Sequence, residues 1–292
     1  MTAATPPALP YSLRGVSRGS VILASPHSGR DYPADFLAQS RLTVSQLRLA
    51  EDAYVDELLA GAVDAGAQLV AARYGRCYLD LNRAADELDP TMFSDAPNNG
   101  TARIGDRVAA GLGILPRVAA HGLNIYPGRL KVAEAAARIA AVHQPWHMRL
   151  DELTNAAVRS FGHAILLDCH SMPTPVGVKG SIAPQFVIGD LYGRSAAPTI
   201  VTAIERCLRL DGWRVARNDP YAGGYTTARH GRPQAGVHTV QIEIDRALYM
   251  DVPKLAPHAG FNRVAASLRR VVEMLLRDSG QFGLSPFAQA AE

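Results

Sequence analysis

HAILLDCHS, residues 163–171, is the stretch on which the fold turns. Four apolar residues, Ala164 to Leu167, run without a helical gap and are followed at once by Asp168, Cys169, His170 and Ser171. A short continuous apolar run of this kind predicts a strand buried on both faces, as in parallel sheets. Working outward, SVILASPHSG (20–29) has the same form: Val21 to Ala24 read as a buried strand that delivers Ser25, Pro26 and His27 into a loop. QLVAAR (68–73), PQFVIGD (184–190) and WRVARND (213–219) are strand-like, and CYLDLNR (77–83) is expected as a further extended piece after a bend at Gly75. VHTVQIEID (237–245) alternates, with Val240, Ile242 and Ile244 on one face and Gln241, Glu243 and Asp245 on the other. Helical spacing fills the intervals: 44–65 with a break near Glu51, 131–143 running into an interruption at Pro145, 196–210, and 254–278. Strands separated by helices predict an α/β fold, a mostly parallel or mixed twisted sheet flanked by helices.

The chain has 292 residues, 48% apolar and 20% charged, enough to bury a core without disulfides or a structural metal. No long polar bridge divides it, so a single catalytic domain is expected over 18–278, between a proline-rich flexible arm (1–17) and a C-terminal tail (279–292). Residues 86–103 are dense in Asp, Pro, Asn and Gly and are expected to form a long surface loop of the kind that binds ligands or acts as a lid. The net charge is only +3 and no basic run occurs, which argues against nucleic acid. The apolar runs are too short to cross a bilayer, and the first residues lack the basic-then-apolar pattern of a secretory signal. Cys77, Cys169 and Cys207, odd in number and widely spaced, read as small apolar groups in a reducing compartment, so a cytoplasmic protein is expected.

The unusual polar residues fall at strand ends, where open α/β sheets bind ligands. His27 follows the first strand, Asp168 and His170 close the strongest, and Glu243 lies in the last. A hydrolytic metal needs several nitrogen or oxygen ligands and an open position for water. His27, His170 and a carboxylate from EDAYVDELL (51–59), either Glu51 or Asp52, could form that set; the alternative is that both acids cap the helix there. Glu243 lies between two aliphatic neighbours, so burial would raise its pKa while a nearby cation would oppose the shift, as a general base needs. Arg76, Asn82 and Arg83 flank CYLDLNR, where an arginine could clamp a substrate carboxylate and Asn82 fix its second oxygen; equally, Asp80 could pair with one arginine and Asn82 cap a turn. His143 and His147 in HQPWH lack the glutamate of an H-E-x-x-H site, and no G-x-S-x-G elbow is present.

SPHSGRDYP (25–33), EDAYVDEL (51–58), RCYLDLNR (76–83), LLDCHSM (166–172) and the GGYTT…VHTVQIEIDRALYM block (223–250) together resemble the N-formylglutamate amidohydrolase family, over about residues 18 to 275. That resemblance implies a zinc carboxypeptidase/phosphorylase-hydrolase-like fold and one divalent metal, Zn2+, held by His27, His170 and, in preference to Glu51, Asp52. It implies Glu243 as base, Arg76 polarising the scissile carbonyl, Arg83 with Asn82 holding the substrate carboxylate, and Gly223 and Gly224 letting backbone approach the ligand. The expected reaction is hydrolysis of N-formyl-L-glutamate, a small carboxylate-bearing N-acyl amino acid, to formate and L-glutamate. Zinc carboxypeptidases use a His-x-x-Glu pair, but Arg30 stands three residues after His27, so the acidic ligand must come from farther along. An amidase for another N-acyl amino acid or a cell-wall peptide, and a non-catalytic carboxylate-binding relative, are the alternatives that substrate comparison and metal analysis would separate.

Overall fold

The computed structural model describes residues 9–95, 103–175 and 183–282. Seven strands form one mixed sheet: β1 (Tyr11–Arg14), β2 (Val21–Ser25), β3 (Gln68–Ala72), β4 (Ala164–Met172), β5 (Phe186–Gly189), β6 (Val215–Arg217) and β7 (Val237–Asp245). Their spatial order is β1-β3-β2-β4-β7-β5-β6. The four central strands β3, β2, β4 and β7 are parallel; β1 and the β5–β6 pair run against them. The α/β expectation therefore holds in its mixed form. β1 falls within the segment expected as a loose arm: Tyr11 to Arg14 hydrogen-bond along β3 as an edge strand, which the preceding prolines obscured.

The pleat sorts the side chains. Ile165, Leu167 and Cys169 of β4 join Val240, Ile242 and Ile244 of β7 in a core shared with the helices Pro198–Leu210 and Phe261–Arg277. From the latter, Val264, Leu268, Val271 and Leu275 point inward at helical spacing; each such burial stabilises the fold by about 1.5–3 kcal/mol. On the opposite face Ile22, Ala24, Val70, Ala164 and Leu166 pack on Trp146 and Leu150 of the helix Gln144–Phe161. That helix begins where a π-helical turn, Ile139–His143, accommodates Pro145, the interruption anticipated from sequence.

A further segment differs from expectation. Residues 77–83 form turns, not a strand: the Asp80 N–H donates to the Ile114 carbonyl (2.8 Å), and the Asn82 N–H donates to the Asp80 carboxylate (2.9 Å). The alternating pattern comes from Cys77, Leu79 and Leu81 being buried, but the aspartate supplies a local acceptor that competes with any ladder. The glycine-rich stretch 221–236 contains a helix, Tyr225–His230. Of the loop expected over 86–103, Pro90–Met92 form a short 3₁₀ turn and 96–102 lie outside the described residues, as do 283–292 of the tail. The chain passes from β2 to β3 on one side and then from β3 across to β4 on the other. The boundary between β2 and β4 is thus the switch point at which such sheets leave a crevice.

Candidate active site

His27 lies just beyond β2 and His170 near the end of the adjacent β4, so the crevice brings together two imidazoles 143 residues apart in sequence. Asp52 reaches them because its own N–H donates to the His27 carbonyl (2.9 Å) and the Tyr249 hydroxyl donates to the Ala53 carbonyl (3.0 Å). Tyr54, in the left-handed region at φ 65°, then starts the next helical turn. This is the break expected near Glu51. His27 Nδ1, His170 Nδ1 and Asp52 Oδ2 converge: Nδ1 to Nδ1 is 3.1 Å, and Oδ2 is 3.3 Å from His27 and 3.1 Å from His170. All three side chains are buried.

The outer partners of each imidazole fix which atom faces inward. His27 Nε2 lies 2.7 Å from Asp80 Oδ1, and His170 Nε2 lies 3.0 Å from Asp168 Oδ2. The Asp80 carboxylate can only accept, so the His27 proton belongs on Nε2 and its Nδ1 lone pair points to the centre, toward which His170 also turns its Nδ1. The His27 lone pair, the Asp52 carboxylate and His170 Nδ1 meet at one point and repel one another unless a proton or a cation joins them. Tetrahedral coordination with metal–ligand distances of about 2.0–2.1 Å needs ligand atoms about 3.3 Å apart, close to the separations found. Carboxylate–histidine pairs of this kind are the usual outer support of a metal-binding histidine. The set therefore fits a divalent ion.

The surrounding charges agree. Burial alone would raise the Asp52 carboxyl, but hydrogen bonds with His170 and His27 and the Arg246 charge hold it well below the usual carboxylate range. Burial would likewise raise Asp80, and the Arg76 and His27 charges outweigh it. For His170, burial favours the neutral ring, yet Asp168, Asp52 and Glu243 push its pKa well above the ordinary value. Positive charge is favoured at this point, whether a proton or a cation carries it.

Register places Glu243 of β7 directly beside His170 of β4. Its carboxyl is buried rather than outward-facing, accepts a hydrogen bond from Gln241 Nε2 (2.9 Å), and is pushed up to about 7. Burial is the main cause; the His170 charge opposes it, and Asp52 and Asp168 add to it. Glu243, the three clustered residues, Arg76, Asn82, Arg83, Gly223 and Gly224 all line one cavity of about 640 Å³, within the range of small-molecule sites. Glu51 does not join them: it accepts from the Tyr32 hydroxyl (2.8 Å) and Arg48 Nε (3.2 Å), so of the two adjacent acids only Asp52 faces the histidines.

Arg76 Nη2 binds Asp80 Oδ2 at 2.7 Å, the pairing that the structural reading of CYLDLNR anticipated. Asn82 brings its Nδ2 to 3.3 Å from His170 Nε2 and accepts from the Thr226 N–H (2.8 Å), leaving one amide hydrogen for a ligand. Gly224 has to be glycine because a Cβ there would collide with this amide. Arg83 is 95% buried; among the described residues it donates only to the carbonyls of Leu112 and Asn82 (2.8 Å each) and pairs with no carboxylate. Behind this turn His143 Nε2 donates to the Arg83 carbonyl (2.9 Å) and His147 Nε2 to the Leu81 carbonyl (3.0 Å). HQPWH thus braces the loop and is not itself part of the cluster.

Sequence reasoning gave no functional role to Asp80, and missed Ser171 and Arg246, which donate to Asp52 Oδ1 at 3.0 and 2.9 Å. Asp80 carried a signal, an acid embedded among buried apolar residues, whereas nothing local marks Arg246 as a partner of a residue 194 positions away.

A family model described as N-formylglutamate amidohydrolase matches residues 19–250. The chain belongs to that family. Among relatives of this family member, the N-formylglutamate deformylase of Pseudomonas aeruginosa is 30% identical over 241 residues, covering 81% of this chain and 84% of the relative. That of Pseudomonas putida is 26% identical over 239 residues, covering 79% and 82%. The crystal structure of N-formylglutamate amidohydrolase from Ralstonia eutropha JMP134 superposes with a TM-score of 0.85 at 32% identity, over 93% of this chain and 100% of that one. The fold of this amidohydrolase-family chain is therefore that of a solved member. Among its described residues no helix is long and apolar enough to cross a membrane.

Proposed function

We propose that this chain hydrolyses the formamide bond of N-formyl-L-glutamate to formate and L-glutamate in the cytoplasm, with one zinc ion held by His27, Asp52 and His170. The carrying observation is the convergence of two imidazole Nδ1 atoms and a carboxylate oxygen in the cavity that also contains Glu243 and Arg83, with which no carboxylate pairs among the described residues. When bound, such an ion supplies a water of lowered pKa and electrostatic stabilisation of the developing oxyanion.

The remaining work falls to side chains. Arg83 takes a substrate carboxylate with the fork of donors that its two carbonyl contacts leave free, and the spare Asn82 hydrogen adds to that hold. Glu243 accepts the proton of the attacking water and returns it to the leaving nitrogen, so that formate and a free amine depart. Arg76, fixed by Asp80, directs positive charge toward the carbonyl oxygen as it becomes an oxyanion.

The test is formate release from N-formyl-L-glutamate, run beside the N-acetyl and N-succinyl analogues. We expect turnover of the formyl compound that is abolished by chelation, restored by Zn2+, and lost in His170→Ala together with bound metal. Full turnover after exhaustive chelation would reject the metal reading, and faster release from either larger acyl group would reject the formyl substrate.

A further inference from the structure

Four guanidinium groups line the cavity: Arg76, Arg83, Arg107 and Arg246. Two are neutralised by the protein, Arg76 by Asp80 (2.7 Å) and Arg246 by Asp52 (2.9 Å). The other two are not. Among the described residues neither Arg83 nor Arg107 pairs with a carboxylate, and the undescribed internal segments 96–102 and 176–182 contain no Asp or Glu that could serve.

The two groups also repel each other. Burial pulls Arg83 below its ordinary pKa, and the Arg107 charge adds to that effect despite the opposing pull of Asp80. The Arg83 side chain is tied to the backbone that carries Arg107. Leu112 donates its N–H to the Arg107 carbonyl (2.8 Å) and accepts Arg83 Nε on its own carbonyl (2.8 Å). Arg117, held by Asp89 (3.1 Å), closes the same turn by donating its N–H to the Gly111 carbonyl (2.8 Å). Two like charges lining one cavity, with no carboxylate paired to either among the described residues, raise the energy of the empty site, and a ligand with two negative groups relieves that cost.

We propose that Arg107 is the specificity-determining residue for the second carboxylate of the substrate, so that the site selects N-acyl derivatives of acidic amino acids. This rests on the hydrolytic reading above. Asn82, next to Arg83 in sequence, lies 3.3 Å from His170, whereas Arg107 is an exposed residue of the short helix Asp106–Ala109. The α-carboxylate, one bond from the carbon bearing the reacting nitrogen, therefore goes to Arg83. The side-chain carboxylate goes to Arg107 at the mouth.

The test compares wild type, Arg107→Gln and Arg107→Lys on N-formyl-L-glutamate and on N-formyl-L-glutamine, its neutral isostere. The expected result is that the wild-type preference for the glutamate compound, as a ratio of kcat/KM values, falls by about 10- to 100-fold in Arg107→Gln, through KM, and recovers in part in Arg107→Lys. An equal loss on both substrates, or none, overturns the proposal. Calorimetric titration with glutarate supplies a readout without turnover. If wild type releases no formate but binds glutarate at least tenfold more tightly than Arg107→Gln does, the reaction assignment fails while the dianion site stands. If the two proteins bind glutarate alike, the dianion site fails whatever the reaction.

Discussion

Replacing Asp80 with asparagine tests whether the outer carboxylates set the inner lone pairs. Asp80 is 1% exposed, and its two oxygens serve three donors: His27 Nε2 (2.7 Å) and the Asn82 N–H (2.9 Å) on Oδ1, and Arg76 Nη2 (2.7 Å) on Oδ2. Asparagine has the same shape but only one acceptor oxygen. With that oxygen toward His27, the new amide hydrogens face the Arg76 guanidinium and its ion pair is lost. With the amide turned round, its hydrogens face His27 Nε2, which has to give up its proton, and the proton moves to Nδ1, where the lone pair is needed. Neither orientation is neutral, because each leaves one of the Asp80 partners facing a like group. Loss of an outer partner of this type lowers metal affinity by about 10- to 100-fold, equivalent to about 1.4–2.7 kcal/mol. The half-buried Arg76 charge, left without its partner, places the expectation in the upper half of that range. Competition with a chromophoric chelator measures the Zn2+ affinity directly. Asp168→Asn is the internal comparison: Asp168 is 3.0 Å from His170, but its oxygens are not aligned for a hydrogen bond, so its loss should lower affinity by less than about tenfold. Affinity of Asp80→Asn within about twofold of wild type would refute the claim that Asp80 holds His27 in its metal-binding form.

Glu243→Gln should retain bound zinc while turnover falls by about 100-fold or more. Because the base must be ionised and its pKa is pushed up to about 7, kcat/KM should climb as pH rises toward that value and level above it. A bound cation shifts the limb to lower pH, and the limb should be missing from the residual activity of Glu243→Gln; its persistence there would point to another base. His143→Leu leaves the buried Arg83 carbonyl without its donor, at a cost of about 1–3 kcal/mol; substrate titration should show KM raised with kcat little changed, and His143→Gln should recover part of the loss. Gly224→Ala drives a Cβ into the Asn82 amide and should lower kcat/KM by about tenfold or more in steady-state assays.

Where the chain buries continuous or alternating apolar runs, its structure was legible without coordinates. The runs in β2, β4 and β7 and the helical spacing of Phe261–Arg277 specified elements that local chemistry alone decides. The same runs placed His27, His170 and Glu243 at strand ends, and the ordered motif blocks pointed to the family. Local pattern misled where a side chain offered the backbone another partner. Asp80 turned an alternating segment into a loop, and Tyr11–Arg14, too short and too near prolines to stand out, became a strand only because β3 presents an open edge.

What sequence left open was geometric. Glu51 and Asp52 are adjacent and chemically alike; only the hydrogen bond from Asp52 N–H to His27, and the turn it fixes, decides that one faces the histidines and the other faces Tyr32 and Arg48. Arg246 and Asp80 meet partners distant in the chain, and Arg107 stands out because no carboxylate pairs with it among the described residues. The physical reason is one of range. Strand and helix signals arise from neighbours two to four residues apart, whereas the charge balance of the cavity is summed over β2, β4, β7 and the turns around them, and exists only once those elements have packed.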